Sequence, residues 1–235
     1  MNMNAVVTGS SKGIGSAIVT SLLQEGWNVA LSSRNINDLR TLQSQYQAAH
    51  PSRECLINQF DFSKKEQTQA YGRSILDKWD KVDLLVNNVG LFLPGSVANE
   101  PEGALEEMIE TNLYSAYHLT RVLLPGMMDR RQGTIINVCS IASFMSYPNG
   151  GSYTISKFGM LGFNKVLREE MKPHGIKVSA IMPGATWSAS WGDADFPLDR
   201  LMKPEDVAEA VISILRMSPA SVVEEIIIRP QLGDL

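Results

Sequence analysis

Cysteine is nearly absent from this sequence. The two present, Cys55 and Cys139, are too few for a disulfide framework, and neither stands in a Cys-x-x-Cys spacing, so the chain fits a reducing compartment. Histidine is as scarce: His50, His118 and His174 form no ligand cluster, and no metal site is expected. Positive charge has no excess either. With Lys+Arg at 21 against Asp+Glu at 25, the net charge of -4 removes the footprint expected of a nucleic-acid or anionic-membrane binder, while leaving room for a local cationic pocket around one small phosphate. Long apolar runs are missing, and the opening "MNMNAVVTG" has neither the basic flank nor the apolar stretch of a signal peptide. No membrane partner is expected, and a cytoplasmic location is.

What is present is an alternation. At 235 residues and 44% hydrophobic, the chain suits one domain spanning 1–235. Short β-branched and apolar runs at 4–8, 28–33, 55–60, 82–87, 134–139, 177–182 and 223–229 read as strands, with segments of helical period between them at 13–25, 36–48, 64–79, 102–129, 151–172 and 204–217. Strand and helix in turn predict an α/β fold with a parallel sheet, and the lack of polar alternation predicts strands buried on both faces. One stretch, 183–203, has no convincing period. Loops of that length in compact domains tend to be lids or binding loops, and a short substrate lid is expected at about 185–203.

The first strand runs directly into "TGSSKGIGSAIV", which sets Gly9, Gly13 and Gly15 at a strand-to-helix turn. Glycine lets a backbone turn tightly and approach a ligand, and a helix amino terminus offers free N–H groups and a positive dipole end to a phosphate. A glycine-rich turn that merely eases helix onto sheet would look the same at this point. The end of the second strand narrows the reading. Where dinucleotide folds commonly carry an acid for the ribose 2'-hydroxyl, this chain has Ser33 and Arg34, and an arginine fork suits a 2'-phosphate instead. Lys12, inside the glycine loop, adds a second cation, and the pair favours NADP(H).

Further along, "SYTISKFGMLGF" opens a helix with Tyr153 and places Lys157 one turn later on the same face. A phenol is a poor proton donor at neutral pH unless its anion is stabilised, and a nearby ammonium does that. A Tyr-x-x-x-Lys pair alone is equally a solvated helix face. Other motifs stand in order around it: "TGSSKGIG" (8–15), "DFS" (61–63), "NNVG" (87–90), "TNLYSAYHLT" (111–120), "INVCSIAS" (136–143), "YTISK" (153–157) and "PG" (183–184). Through these the chain resembles, over essentially its whole length, the short-chain dehydrogenase/reductase family in its compact form.

The resemblance implies a Rossmann-type doubly wound sheet of seven mainly parallel strands, order 3-2-1-4-5-6-7, with helices on both faces. It implies a catalytic set of Asn112, Ser140, Tyr153 and Lys157, with Asn112 anchoring a water and Ser143 a nearby decoy for Ser140. NADP(H) contacts are implied at Gly9, Ser11, Lys12, Gly13, Ile14 and Gly15, at Ser33 and Arg34, at Asp61 and Phe62, at Asn88 and Gly90, and at Pro183, Gly184, Thr186 and Ser188, besides Tyr153 and Lys157. The activity implied is hydride transfer between NADP(H) and a ketone, aldehyde, 3-oxoacyl or secondary-alcohol substrate, in a homo-oligomer, a dimer or tetramer. The alternative is a dinucleotide-binding regulator with little catalysis. Cys139 has no histidine placed to activate it and reads as an apolar strand end. Phe92, Phe144, Met145, Tyr147, Trp187, Trp191 and Phe196 follow strand ends, where an apolar or aromatic carbonyl would suit them, although for any one of them packing of the lid against the body is at least an equal reading.

Overall fold

The computed structural model describes residues 3–188 and 200–233. Its frame is one sheet of seven strands: β1 (Asn4–Val7), β2 (Asn28–Ser33), β3 (Cys55–Gln59), β4 (Leu84–Asn87), β5 (Gly133–Val138), β6 (Ile176–Pro183) and β7 (Glu225–Ile228). Their order is β3-β2-β1-β4-β5-β6-β7, and every neighbouring pair is parallel, so the expected sheet is found with no antiparallel member. Parallel neighbours cannot be joined by a hairpin, so the chain must cross over between them. The crossovers are helices α1 (Gly13–Gln24), α2 (Ile36–Ala49), α3 (Lys65–Leu76), α4 (Ala104–Ile109), α5 (Ser115–Arg130), α6 (Gly151–Met171) and α7 (Pro204–Leu215).

Successive strand residues face opposite sides of the sheet, and here both sides are covered. Ala5, Val7, Leu84, Val86 and Ile136 join one core with α1, α2 and α7, whereas Val6, Leu85, Ile135 and Val178 join another with α3, α5 and α6. That explains why the inner strands show no polar alternation. The prediction of burial on both faces fails at the edges. In β7, Ile226 and Ile228 pack on the first core, while Glu225 and Ile227 are exposed because no helix of the described chain covers that side.

The single helix expected over 102–129 is divided. A π-helical turn, Glu110–Tyr114, separates α4 from α5, with the N–H of Ser115 bonding back to the carbonyl of Glu110. A periodicity of 3.6 cannot register one extra residue in a turn, so the sequence pattern runs straight through it. Most of the expected lid, with Trp191 and Phe196, lies outside the described residues.

Candidate active site

Register sets the site. Val7 stands level with Leu31 and Val86, Asn87 with Asn137, and Val138 with Ile181, so the strands from β2 through β6 end along one edge. The sequence of crossovers reverses between β1 and β4, and the loops leaving these two strands diverge there to open a crevice.

On the β1 side, Gly9 and Gly13 have φ of +62° and +54°, a conformation that side chains with a Cβ rarely adopt. Gly15 is required for space: a Cβ there would lie 2.4 Å from the Gly9 carbonyl and 2.6 Å from Asn88 Nδ2. The amino end of α1 carries no side-chain cap and no acid in its first turn, in contrast to α2, whose N–H at Asn37 bonds to Asn35. A helix end left uncapped beside such a turn is fitted to an anion. Asn88 secures the loop through Nδ2 to the carbonyls of Thr8 and Gly9 at 3.0 and 3.1 Å, and its N–H donates to Thr8 Oγ1 at 2.9 Å. Ser11 is half-buried in the loop, and Ile14 leans on the core below it.

At the end of β2, Ser33 is half-buried and its hydroxyl accepts from the N–H of Asn35 at 3.1 Å. Arg34 is exposed, with no acid paired to it among the described residues. Lys12, equally exposed, lies 3.5 Å from Asp38. Asp61 holds the start of α3 by accepting from the N–H and hydroxyl of Ser63 at 3.0 and 2.8 Å. Phe62 is turned into the core, edge-on to Tyr71 with ring centres 5.3 Å apart, which leaves only its main chain to meet a ligand.

Of the four expected catalytic residues, Lys157 stands near both Tyr153 and Asn112, and Ser140 follows the end of the strand whose Val138 carbonyl takes the Lys157 ammonium. Lys157 is buried, its Nζ donating to the Val138 carbonyl at 3.1 Å and standing 5.8 Å from the centre of the Tyr153 ring. Among the described residues no carboxylate pairs with it, so two of its three donors remain for other groups. A Cβ at Gly90 would lie 3.6 Å from that Nζ and 3.7 Å from Asn112 Oδ1, so glycine leaves the approach to both open. Asn112 sits in the π turn with its amide fully engaged: Oδ1 accepts from the N–H of Leu91 at 2.6 Å, and Nδ2 donates to the Leu91 carbonyl and to Ser156 Oγ at 2.9 and 2.8 Å. Its side chain therefore ties the loop after β4 to the residue preceding Lys157, rather than reaching for solvent.

Ser140 and Ser143 are distinguished by their partners. Ser140 Oγ caps the short 3-10 turn Ile141–Ser143 by accepting from the N–H of Ala142 at 3.1 Å, and Ser143 Oγ accepts from the N–H of Ser140 at 3.2 Å. Ser143, 2% exposed, is thus a brace for Ser140. Burial pushes the Cys139 thiol up to about 11, with Lys157 only partly opposing it, and a thiol held protonated is no nucleophile. Tyr147 is likewise pushed up to about 12, first by burial and then by the neighbouring Tyr153. Phe92 meets the Tyr153 ring edge-on at 5.0 Å.

Beyond β6, the Gly184 N–H bonds to the Ile228 carbonyl at 2.7 Å and Thr186 Oγ1 to the Gly184 carbonyl at 3.0 Å, while Pro183 and Thr186 are buried. Ser188 returns over the glycine loop: a Cβ on Gly13 would be 3.6 Å from its own. Sequence reasoning missed Thr8, Ser156 and Glu100. Glu100 accepts from both the hydroxyl and the N–H of Ser152, the latter at 3.2 Å, across 52 residues of chain. No local pattern announces such a contact.

A doubly wound parallel sheet with a glycine turn after its first strand, and with serine, tyrosine and lysine gathered at the same edge, defines a dinucleotide-dependent oxidoreductase scaffold. Residues 3–195 match the family model described as short chain dehydrogenase, and the chain belongs to that family of oxidoreductases. Sepiapterin reductase of Chlorobaculum tepidum is 28% identical over 238 residues, covering 98% of this chain and 97% of that protein. A 3-oxoacyl-[acyl-carrier-protein] reductase of Staphylococcus epidermidis is 31% identical over 184 residues, 78% of this chain and 75% of its own. Among solved structures, an alcohol dehydrogenase from the archaeon Thermococcus sibiricus complexed with 5-hydroxy-NADP superposes with a TM-score of 0.92 at 26% identity, covering 100% of this chain and 99% of that one. A metagenomic short-chain oxidoreductase in complex with NADP gives 0.85 at 30% identity, with 98% of both chains covered.

Proposed function

We propose that this protein interconverts a carbonyl compound and a secondary alcohol with NADP(H), using Tyr153 as the general acid and base. The observation that carries the reading is the buried Lys157 ammonium 5.8 Å from the centre of the Tyr153 ring, with Gly90 leaving its approach open. NADP(H) fits the glycine turn and uncapped α1 on its phosphate side, with Gly9, Ser11, Gly13, Ile14 and Gly15 offering main chain and space. Exposed Arg34 and Lys12 suit a 2'-phosphate, and the NADP complexes of two relatives support the choice. Ser33, the Asp61–Phe62 main chain, Asn88, Gly90, Pro183, Gly184, Thr186 and Ser188 complete the cradle.

The reduced nicotinamide, when bound, supplies the hydride. The chain's own groups manage the charge that grows on the carbonyl oxygen as it is reduced. Tyr153 and Ser140 donate hydrogen bonds to that oxygen, and Tyr153 yields its proton. Lys157 stabilises the resulting phenolate and has donors to spare for ribose hydroxyls, while Asn112 fixes the loop and helix between which it works. Phe92 and Tyr147, both partly exposed beside Tyr153, with Phe144 and Trp187 exposed on other loops that follow strand ends, offer apolar surface suited to an uncharged or aromatic carbonyl. The two buried free thiols suit a cytoplasmic, reducing setting.

Purified protein mixed with NADPH and a panel of ketones, aldehydes and 3-oxoacyl thioesters should consume reduced coenzyme with at least one of them. Tight NADPH binding without turnover on any would favour a dinucleotide-binding regulator instead. The face of α6 presents Ile155, Phe158 and Val166 to solvent at 45%, 47% and 57%, one helical stripe of exposed apolar surface, and we assign it to contact between copies of this chain in a dimer or tetramer.

A further inference from the structure

Helix α6 carries both Tyr153 and Lys157, yet its amino end has no cap of its own: Gly150 precedes it and supplies no side chain. Its first N–H groups are met from outside. The Gly151 N–H donates to the Gly95 carbonyl at 2.9 Å, and the Ser152 N–H donates to Glu100 Oε2 at 3.2 Å while the Ser152 hydroxyl donates to Glu100 Oε1. Both partners belong to the loop that leaves β4, the loop that also carries Phe92 against the Tyr153 ring. The fit is close. A Cβ on Gly95 would lie 2.8 Å from that of Glu100, and one on Gly151 would lie 3.1 Å from Glu100 Oε2, so glycine on each side admits the carboxylate. Ser152 itself is 1% exposed.

Building on the catalytic role given to Tyr153, we propose that Glu100 is a positioning residue that clamps the first turn of α6 to the β4 loop and thereby sets where the Tyr153 hydroxyl meets its substrate. Two acceptors on one rigid carboxylate, each taking a donor from the residue just before Tyr153, fix the azimuth of the helix start as well as its height. A negative charge at a helix amino end is also favourable to the dipole. Because a displacement of about 1 Å in a reacting group can cost about a hundredfold in rate, the clamp acts on turnover far more than on coenzyme affinity.

Glu100→Ala should lower kcat by about ten- to a hundredfold, leave the NADPH dissociation constant within about twofold of wild type, and speed hydrogen–deuterium exchange at 152–156. Glu100→Gln keeps an acceptor for the Ser152 N–H and a donor for its hydroxyl, and should restore most of kcat. Unchanged kcat in a folded Glu100→Ala protein overturns the proposal, as does an equal loss in Glu100→Gln or a matching collapse of NADPH binding. If Glu100→Ala does not fold, Ser152→Ala decides: reduced kcat with coenzyme binding intact supports the clamp, and wild-type kcat refutes it. Should the wild-type enzyme turn over no carbonyl, the catalytic reading fails separately, and the exchange rate at 152–156 still tests the clamp: acceleration in the Glu100→Ala or Ser152→Ala protein upholds it, and an unchanged rate rejects it.

Discussion

Individual side chains carry the chemistry, and the residues that matter most are those whose surroundings leave them something to do. Lys157 is the case in point: it is buried, no carboxylate pairs with it among the described residues, and Gly90 leaves the approach to its Nζ open. On the proposed mechanism Tyr153→Phe removes the proton donor while keeping the ring that stands beside Phe92 and Lys157, so kcat should fall at least about a hundredfold with NADPH affinity preserved. Turnover assays paired with a fluorescence titration of the coenzyme will check this, and wild-type kcat would remove Tyr153 from its role. Arg34→Asp exchanges a cation for the acid that suits a ribose diol, and the ratio of kcat/KM for NADPH over NADH should drop by about tenfold or more. An unaltered ratio would assign coenzyme choice elsewhere. Cys139 yields a third expectation, concerning stability. Its thiol is raised from 9.0 to about 11 in the folded chain, so the fold holds that proton more tightly than the unfolded chain does. The resulting stability is present in full below about pH 8.5 and disappears as pH climbs through the folded value near 11, about 2–3 kcal/mol in all. Urea unfolding at pH 8 and pH 11 should show a smaller alkaline loss for Cys139→Ala than for wild type by about that amount.

At the level of elements, the site depends on how helices begin. α1 begins uncapped, which leaves its N–H groups for an anion, whereas α6 begins on a clamp from another loop. Gly15 is the point where α1 and its turn close on each other. Gly15→Ala forces a Cβ to within 2.4 Å of the Gly9 carbonyl, so the turn must open. That should destabilise the chain by about 1–3 kcal/mol and weaken NADPH more than the stability loss alone accounts for. Chemical denaturation and coenzyme titration on the same preparation separate the two effects, and unaltered NADPH affinity would count against the phosphate reading of the turn. The π turn is the other element-scale device. It places Asn112 so that one amide bridges Leu91 and Ser156, at the point where a helix that the sequence pattern draws as continuous is broken.

Across the whole molecule, burial is uneven in an informative way. The inner strands are sealed under helices on both faces, while β7 leaves Ile227 54% exposed and α6 leaves its apolar stripe in the open. Exposed surface of this kind is what self-association covers. Light scattering should give the mass of a dimer or tetramer, and Phe158→Glu together with Val166→Glu should reduce it; a monomeric wild type would leave the stripe without an occupant.

The sequence by itself determined the alternation of strand and helix, the glycine turn, the choice of cations at Lys12 and Arg34, and the order of the motifs, because each is written in residues close together along the chain. Periods of 2 and 3.6 and the conformational freedom of glycine are local properties, so they can be read locally. Tertiary structure alone decided that Ser143 braces Ser140, that Phe62 points into the core, that β7 is half bare, and that Glu100 reaches Ser152. These depend on which surfaces the crossovers bring together, and a contact spanning 52 residues has no period for a sequence to display.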